Sequence, residues 1–290
     1  MNIIYVALGE VLRFIYGFCG NFGVAIIIFT VLVRLAVLPL MLNQQKSMAH
    51  MKKIQPLLND INKKYQNDKN KLNEETMKLY KEHNVNPMGG CLPLLIQMPI
   101  LIAVYGVIQN PITYIIKQTV SVEVLTALCN GNQAMTQLGV VAFVSNSLQK
   151  AQELLTNAGL TFELESLMLN FNFLGINLGL VPKDVPTNYL LLIIPLLGAL
   201  TTYFSSKLTA GQNPSQGSDD KAANQMQTMQ MIFPFMTGYF CYIMPSAMGL
   251  YWIIGNLIQI LQSYTLDKLI LKKTMQEPLV IEPKQKKKKK

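Results

Sequence analysis

Apolar residues along this chain gather into long blocks instead of spreading evenly. Five blocks approach or exceed the roughly 20 residues that a helix needs to cross a hydrocarbon core: 22–42, 91–109, 188–208, 225–244 and 248–266. Pro39, Pro93, Pro99, Pro195 and Pro234 fall inside them. Spanning helices tolerate proline, because neighbours can satisfy the freed backbone groups. A different pattern fills 43–66, where Met48, Met51, Ile54, Leu58, Ile61 and Tyr65 recur at steps of three and four. That spacing predicts an amphipathic helix. Asn67-Asp68-Lys69-Asn70 reads as a turn, and a second helix over 71–83 sets Leu72, Met77, Leu79 and Tyr80 among charges. Segment 43–90 is thus expected to form a basic helical hairpin. Residues 1–21 mix apolar side chains with Glu10 and Arg13 and predict an interfacial helix on the outer face. In the 110–187 connection, the short apolar run 139–144 reads as part of a surface helix.

Charge gives these blocks an orientation. Segment 43–90 holds nine lysines, 110–187 three against five acids, and 267–290 nine. Positive loops stay inside. The expectation is an outer N-terminus, an inner hairpin, an outer connection, a short inner loop at 209–224 and an inner, disordered lysine-rich tail at 267–290. Charged residues make up 14% of the chain, below the roughly 25% of a soluble protein, and mean hydropathy is +0.27. The net charge of +9 could serve a nucleic acid. The lysines flank the spans, however, so anionic lipid, topology or ribosomal RNA explains them better than DNA. Lys46, Lys52, Lys53, Lys63 and Lys64 on one hairpin helix, with Lys284, Lys286, Lys287, Lys288, Lys289 and Lys290 in the tail, are the expected ribosome or anionic-lipid contacts.

Candidate chemistry is sparse. Cys19, Cys91, Cys129 and Cys241 show no paired spacing and no nearby histidine, so they read as small apolar residues and imply no metal site. There is no Walker motif or nucleophile constellation. The chain is not expected to be an enzyme or to need a cofactor.

The polar residues inside the spans are more informative. Arg34 lies eight residues before the inner end of its block, roughly 12 Å deep at 1.5 Å per residue. An intramembrane charge costs about 2.5–3.5 kcal/mol and usually faces water or a partner. None of the five blocks carries an Asp or Glu. Gln97, Thr201, Thr202, Gln230, Asn256 and Gln259 fall at depths of about 7–15 Å on the other four blocks. Polar positions at one level around an unpaired arginine predict a hydrated groove open to the cytosol. The outer halves are nearly all apolar, which argues against a through-channel. Tyr251 and Trp252, near the outer end of the last block, read as an aromatic belt. The residues alone leave open an ion or solute transporter and a non-translocating assembly scaffold.

Five stretches carry a resemblance: GNFGVAIIIFTVLVRLAVLPL (20–40), KKIQPLLNDINKKYQ (52–66), KLYKEHNVNPMGGCLPLLIQMPILIAVY (78–105), NFLGINLG (172–179) and MGLYWIIGNLIQILQ (248–262). They are similar to the YidC-type membrane protein insertases of the Oxa/Alb superfamily, in a Gram-positive-like form without a large outer domain. The resemblance implies an all-α polytopic membrane protein of a bacterial plasma membrane. Five transmembrane helices would surround a cytosol-open hydrophilic groove, with the hairpin inside and the interfacial helix outside. It places Arg34 on the groove arginine and Thr30 on its partner one turn earlier. Gln97 and Gln230 fall on or near polar groove positions, and Trp252 on an aromatic substrate contact. It implies nascent and small membrane proteins as substrates, membrane lipid around a functional monomer, and the ribosome and Sec translocon as further partners.

Overall fold

The computed structural model describes residues 2–83, 85, 92–129, 136–185, 188–210 and 221–276. The tail lysines Lys284 and Lys286 to Lys290, and most of the 209–224 loop, lie outside the described residues. The described chain is mostly helical. Its helices are α1 (Asn2–Cys19), α2 (Phe22–Lys64), α3 (Lys69–Glu82), α4 (Leu92–Gln109), α5 (Val122–Leu128), α6 (Gln137–Asn146), α7 (Leu148–Asn157), α8 (Ile193–Ala210), α9 (Lys221–Ile243) and α10 (Ser246–Gln276). A π-helical turn, Ile112–Ile116, follows α4.

Sequence patterning separates the first apolar block from the hairpin at residue 43, but the structure runs one helix through both. Hydropathy changes there while helix propensity does not. Residues 43–55 contain no glycine or proline and are rich in Gln, Lys and Met, all compatible with a helix interior. By length and composition, α2 is the one described helix able to cross a membrane; shorter apolar helical stretches are Gln97–Gln109, Gln137–Asn146 and Met231–Ile243. Pro93 lies in the first turn of α4 and Pro195 in that of α8, where proline removes no helical hydrogen bond. Ahead of α8 the chain winds in tighter turns, with Leu191 N–H donating to Asn188 O at 3.0 Å and Leu192 N–H to Tyr189 O at 3.2 Å.

The chain divides into two compact units. The first comprises Met1–Ala36, Gln97–Tyr203 and Phe233–Ile258. Its core runs from Leu12 and Ile15 of α1 and Phe22, Ile26 and Phe29 of α2 into the connection after α4. That connection is folded, which corrects the reading of 139–144 as a surface helix. Leu138, Val140, Val141, Ala142 and Val144 of α6 are buried. They belong to one core with Leu128, Ala151, Leu155, Leu164 and Leu167. Burying each valine or leucine contributes about 1.5–3 kcal/mol relative to exposure in water. A small exception to the all-α expectation follows, an antiparallel hairpin of β1 (Asn172–Phe173) and β2 (Ile176–Asn177). Asn172 pairs with Asn177 and Phe173 with Ile176.

Within the same unit, α8, α9 and α10 meet through glycines. A Cβ added at Gly198 would stand 2.8 Å from Cys241 Sγ, one at Gly238 3.2 Å from Ala199 Cβ, and one at Gly249 2.3 Å from Ile194 Cγ2. Small residues at such points let helices pack closely where water provides no driving force.

The second unit comprises Val37–Ile96, Phe204–Ile232 and Gln259–Lys290. In it α3 folds back on α2. Met51, Ile54 and Leu58 bury against Leu79 and Val85, following the stripe read from sequence. Asp68 caps α3 by accepting from Lys71 N–H at 3.1 Å.

Candidate functional site

Arg34 lies on α2 in the first unit and is half-buried. Its guanidinium lies against α10 at Gly255, where an added Cβ would stand 2.9 Å from Nη2. One turn earlier on α10, buried Tyr251 lies within electrostatic reach of Arg34 and shares a side-chain hydrogen bond with Gln97 of α4. Positions i and i+4 share a helix face, so α10 presents a hydroxyl and a vacant Cβ position side by side. Among the described residues no carboxylate pairs with Arg34. The described ion pairs are Glu10–Arg13, Glu75–Lys78 and Glu10–Lys117.

The next residue of α10 begins a second polar group. Asn256 Nδ2 donates to Thr202 Oγ1 at 2.8 Å and to Thr201 Oγ1 at 3.2 Å, both on α8. Thr201 in turn donates to Leu197 O at 2.7 Å. Four helices, α2, α4, α8 and α10, thus bring polar groups to one stretch of α10. Thr30 is buried, and its hydroxyl donates to Ile26 O at 2.6 Å within its own helix. Trp252 is half-buried, its ring 6.3 Å from that of Phe233. Gln259 is half-buried and belongs to the second unit, as does Gln230, whose side chain lies outside the described residues.

Tyr251 and Gly255 are the members that sequence reading does not assign to the site. Tyr251 reads as a belt residue, yet it is 4% exposed. The signal that could have found the pair is their four-residue spacing on the face that also carries Gln259. Of the hairpin lysines, Lys46, Lys63 and Lys64 are exposed, and Lys52 and Lys53 are half-buried with contacts of their own. Among the described residues no cluster of His, Cys, Asp and Glu could hold a metal ion. The cluster offers a cation without a counter-charge, hydroxyls and amides. Such a set can attract and solvate an anionic or polar group.

A sequence profile of the family described as 60Kd inner membrane protein matches residues 14–274. A protein of Fusobacterium nucleatum called membrane protein insertase YidC is 34% identical over 272 residues, covering 92% of this chain and 98% of its own length. Another so called, from Clostridium perfringens, is 35% identical over 91% of this chain and 85% of its own length. A solved structure described as an active YidC insertase with the first transmembrane domain resolved aligns with a TM-score of 0.53 at 26% identity. The match covers 91% of this chain and 46% of that one, so this chain spans less than half the length of the solved neighbour.

Proposed function

The chain belongs to the YidC family of membrane protein insertases, and on that premise we propose that it inserts nascent and small membrane proteins by offering their polar segments a groove centred on Arg34. The observation that carries this reading is the Arg34 guanidinium, set against α10 at Gly255 within electrostatic reach of Tyr251, with no carboxylate partner among the described residues. A cation left without a counter-charge inside an apolar segment attracts a substrate's acidic outer segment. The surrounding hydroxyls and amides of Gln97, Thr201, Thr202 and Asn256 help to hydrate it.

In this reading five spans, 22–42, 91–109, 188–208, 225–244 and 248–266, cross a bacterial plasma membrane with the N-terminus outside and the C-terminus in the cytosol. Lysine distribution supports that orientation. A groove hydrated on its cytosolic side, to which Gln230 and Gln259 contribute, shortens the hydrocarbon path that the polar segment must cross. Trp252 contacts the passing span. The span then partitions sideways into lipid, driven by the hydrophobic effect without ATP. The hairpin lysines and the tail from Lys284 to Lys290 hold polyanions at the inner surface, either the ribosome or anionic headgroups. Ribosome attachment weakens with salt, as counterion release requires. The chain works as a monomer and can receive substrates from the Sec translocon.

The decisive experiment is reconstitution of the purified chain into liposomes with a single-span substrate. Protease protection of the substrate's outer segment, dependent on the chain and independent of ATP, is the expected result. Flux of ions or solute without any insertion would replace this reading with a transporter.

A further inference from the structure

The turn between β1 and β2 places an apolar side chain where backbone and solvent both disfavour it. Leu174 and Gly175 form a two-residue turn with φ of 52° and 80°. A hairpin turn with both central residues at positive φ favours Asn-Gly or Asp-Gly, and leucine in that region is strained. Leu174 is also 85% exposed. Strain held in an exposed apolar residue points from structure toward function.

The surroundings say what covers it. The hairpin is fastened to the start of α2. Phe22 N–H donates to Asn170 O at 2.9 Å, and Asn21 Nδ2 donates to Asn172 O at 2.8 Å. The Phe173 side chain fills the space over Gly23, where an added Cβ would stand 2.5 Å from its ring. Asn172 is thus held at residue 21 and Phe173 at residue 23, so the strand heads along the apolar helix as it nears the turn. On α1, Tyr16 faces this region, its hydroxyl accepting from Asn170 N–H at 2.9 Å, and the exposed Phe14 and Phe18 stand two residues to either side of it.

We infer that the Leu174–Gly175 turn is a lipid-dipping anchor, which seats the folded segment 136–180 on the bilayer surface beside the first turn of α2. Leu174 enters the boundary between headgroups and acyl chains. The hairpin gives that side chain a fixed reach, and its bonds to Asn21 and Phe22 hold the buried core of α6 and α7 at a set height. The inference rests on 22–42 being a span, and it holds for either orientation of that span.

The test uses the full chain with Trp252, its one tryptophan, replaced as Trp252→Phe, and Leu174→Trp as the reporter. The protein is reconstituted into phosphatidylglycerol and phosphatidylethanolamine vesicles, with and without bromine on the acyl chains. Blue-shifted emission, loss of intensity in the brominated vesicles and weak quenching by aqueous acrylamide are expected. Water-like emission, strong acrylamide quenching and no bromine effect would overturn the anchor. A benzophenone amino acid at 174, photolysed in cells, gives a reading independent of tryptophan's effect on the turn. Phospholipid adducts support the anchor, and adducts solely with a substrate or another protein chain overturn it. Extraction of the membranes at alkaline pH separates the two readings. A chain released by that wash removes the span itself, whereas a retained chain with Leu174 in water removes the anchor alone.

Discussion

The guanidinium of Arg34 occupies the place beside α10 that a side chain at Gly255 would claim, with Nη2 2.9 Å from the position of an added Cβ. The fit is one-sided, since the atom in the way is the far end of a flexible side chain. Gly255→Ala should therefore move Arg34 without unfolding the helix. Alanine's better helix propensity, about 1 kcal/mol, offsets the shift, so thermal stability should change little. Insertion of acidic substrates should fall several-fold. Unchanged insertion alongside unchanged stability would show that the position of the guanidinium does not matter.

Removing the charge should do more. Arg34→Ala is expected to lower insertion of substrates with acidic outer segments most, and of neutral ones least. Arg34→Lys should retain much of the activity, because a point charge attracts without the planar fork. The comparison is made by liposome insertion across a substrate series. Equal insertion by wild type and Arg34→Ala on every acidic substrate would remove Arg34 from the mechanism.

Water access can be mapped directly. In a background without the native cysteines, Arg34→Cys, Gln97→Cys, Gln230→Cys and Gln259→Cys should react with a membrane-impermeant thiol reagent added from the cytosolic side. Ile27→Cys, Ile102→Cys and Leu192→Cys should be protected. Ile102 is exposed on its helix, so its protection would report lipid rather than protein cover. Labelling at both levels would indicate a through-pore.

The close packing of α8 and α10 predicts a stability effect. A Cβ at 249 would stand 2.3 Å from Ile194 Cγ2. Overpacking of this kind costs about 1–3 kcal/mol, more than the helix propensity gained. Gly249→Ala should lower the unfolding temperature, and adding Ile194→Ala should restore part of it. Gly17→Ala, with nothing within 4 Å of its added Cβ, is the neutral control. Equal unfolding temperatures for Gly249→Ala and Gly17→Ala would contradict the contact.

Much of the site could be read from sequence because polarity inside an apolar block is conspicuous. Arg34, Gln97, Thr201 and Asn256 stand out by depth alone, and the structure brings them to one stretch of α10. Depth says nothing about azimuth, however. Tyr251 has the composition and position of a belt residue, and only its place on the helix face with Gly255 turns it toward Arg34. Gly255 has no side chain to draw notice, yet the absent Cβ is what admits the guanidinium. The fold was least legible in the connection after α4. There α5, α6, α7 and the turn around Leu164 are each too short or too weakly patterned to reveal a core. Val140 to Val144 become interior only when all four meet, so no local window shows it. Hydropathy divides the 22–64 helix at 43, and a backbone hydrogen-bond ladder does not register that change.

The glycine contacts of α8, α9 and α10 decide which parts of the first unit can breathe. Helices separated by long side chains can slide a little as rotamers change. Where glycine brings a backbone against a neighbour's side chain, that slack is absent. Gly198, Gly238 and Gly249 remove it at three places, so the trio shifts as one body. Asn256 and its threonines lie within the trio and travel together with their geometry intact. The contacts free to part are those that reach α10 from outside it, from the Arg34 guanidinium on α2 and from Gln97 on α4.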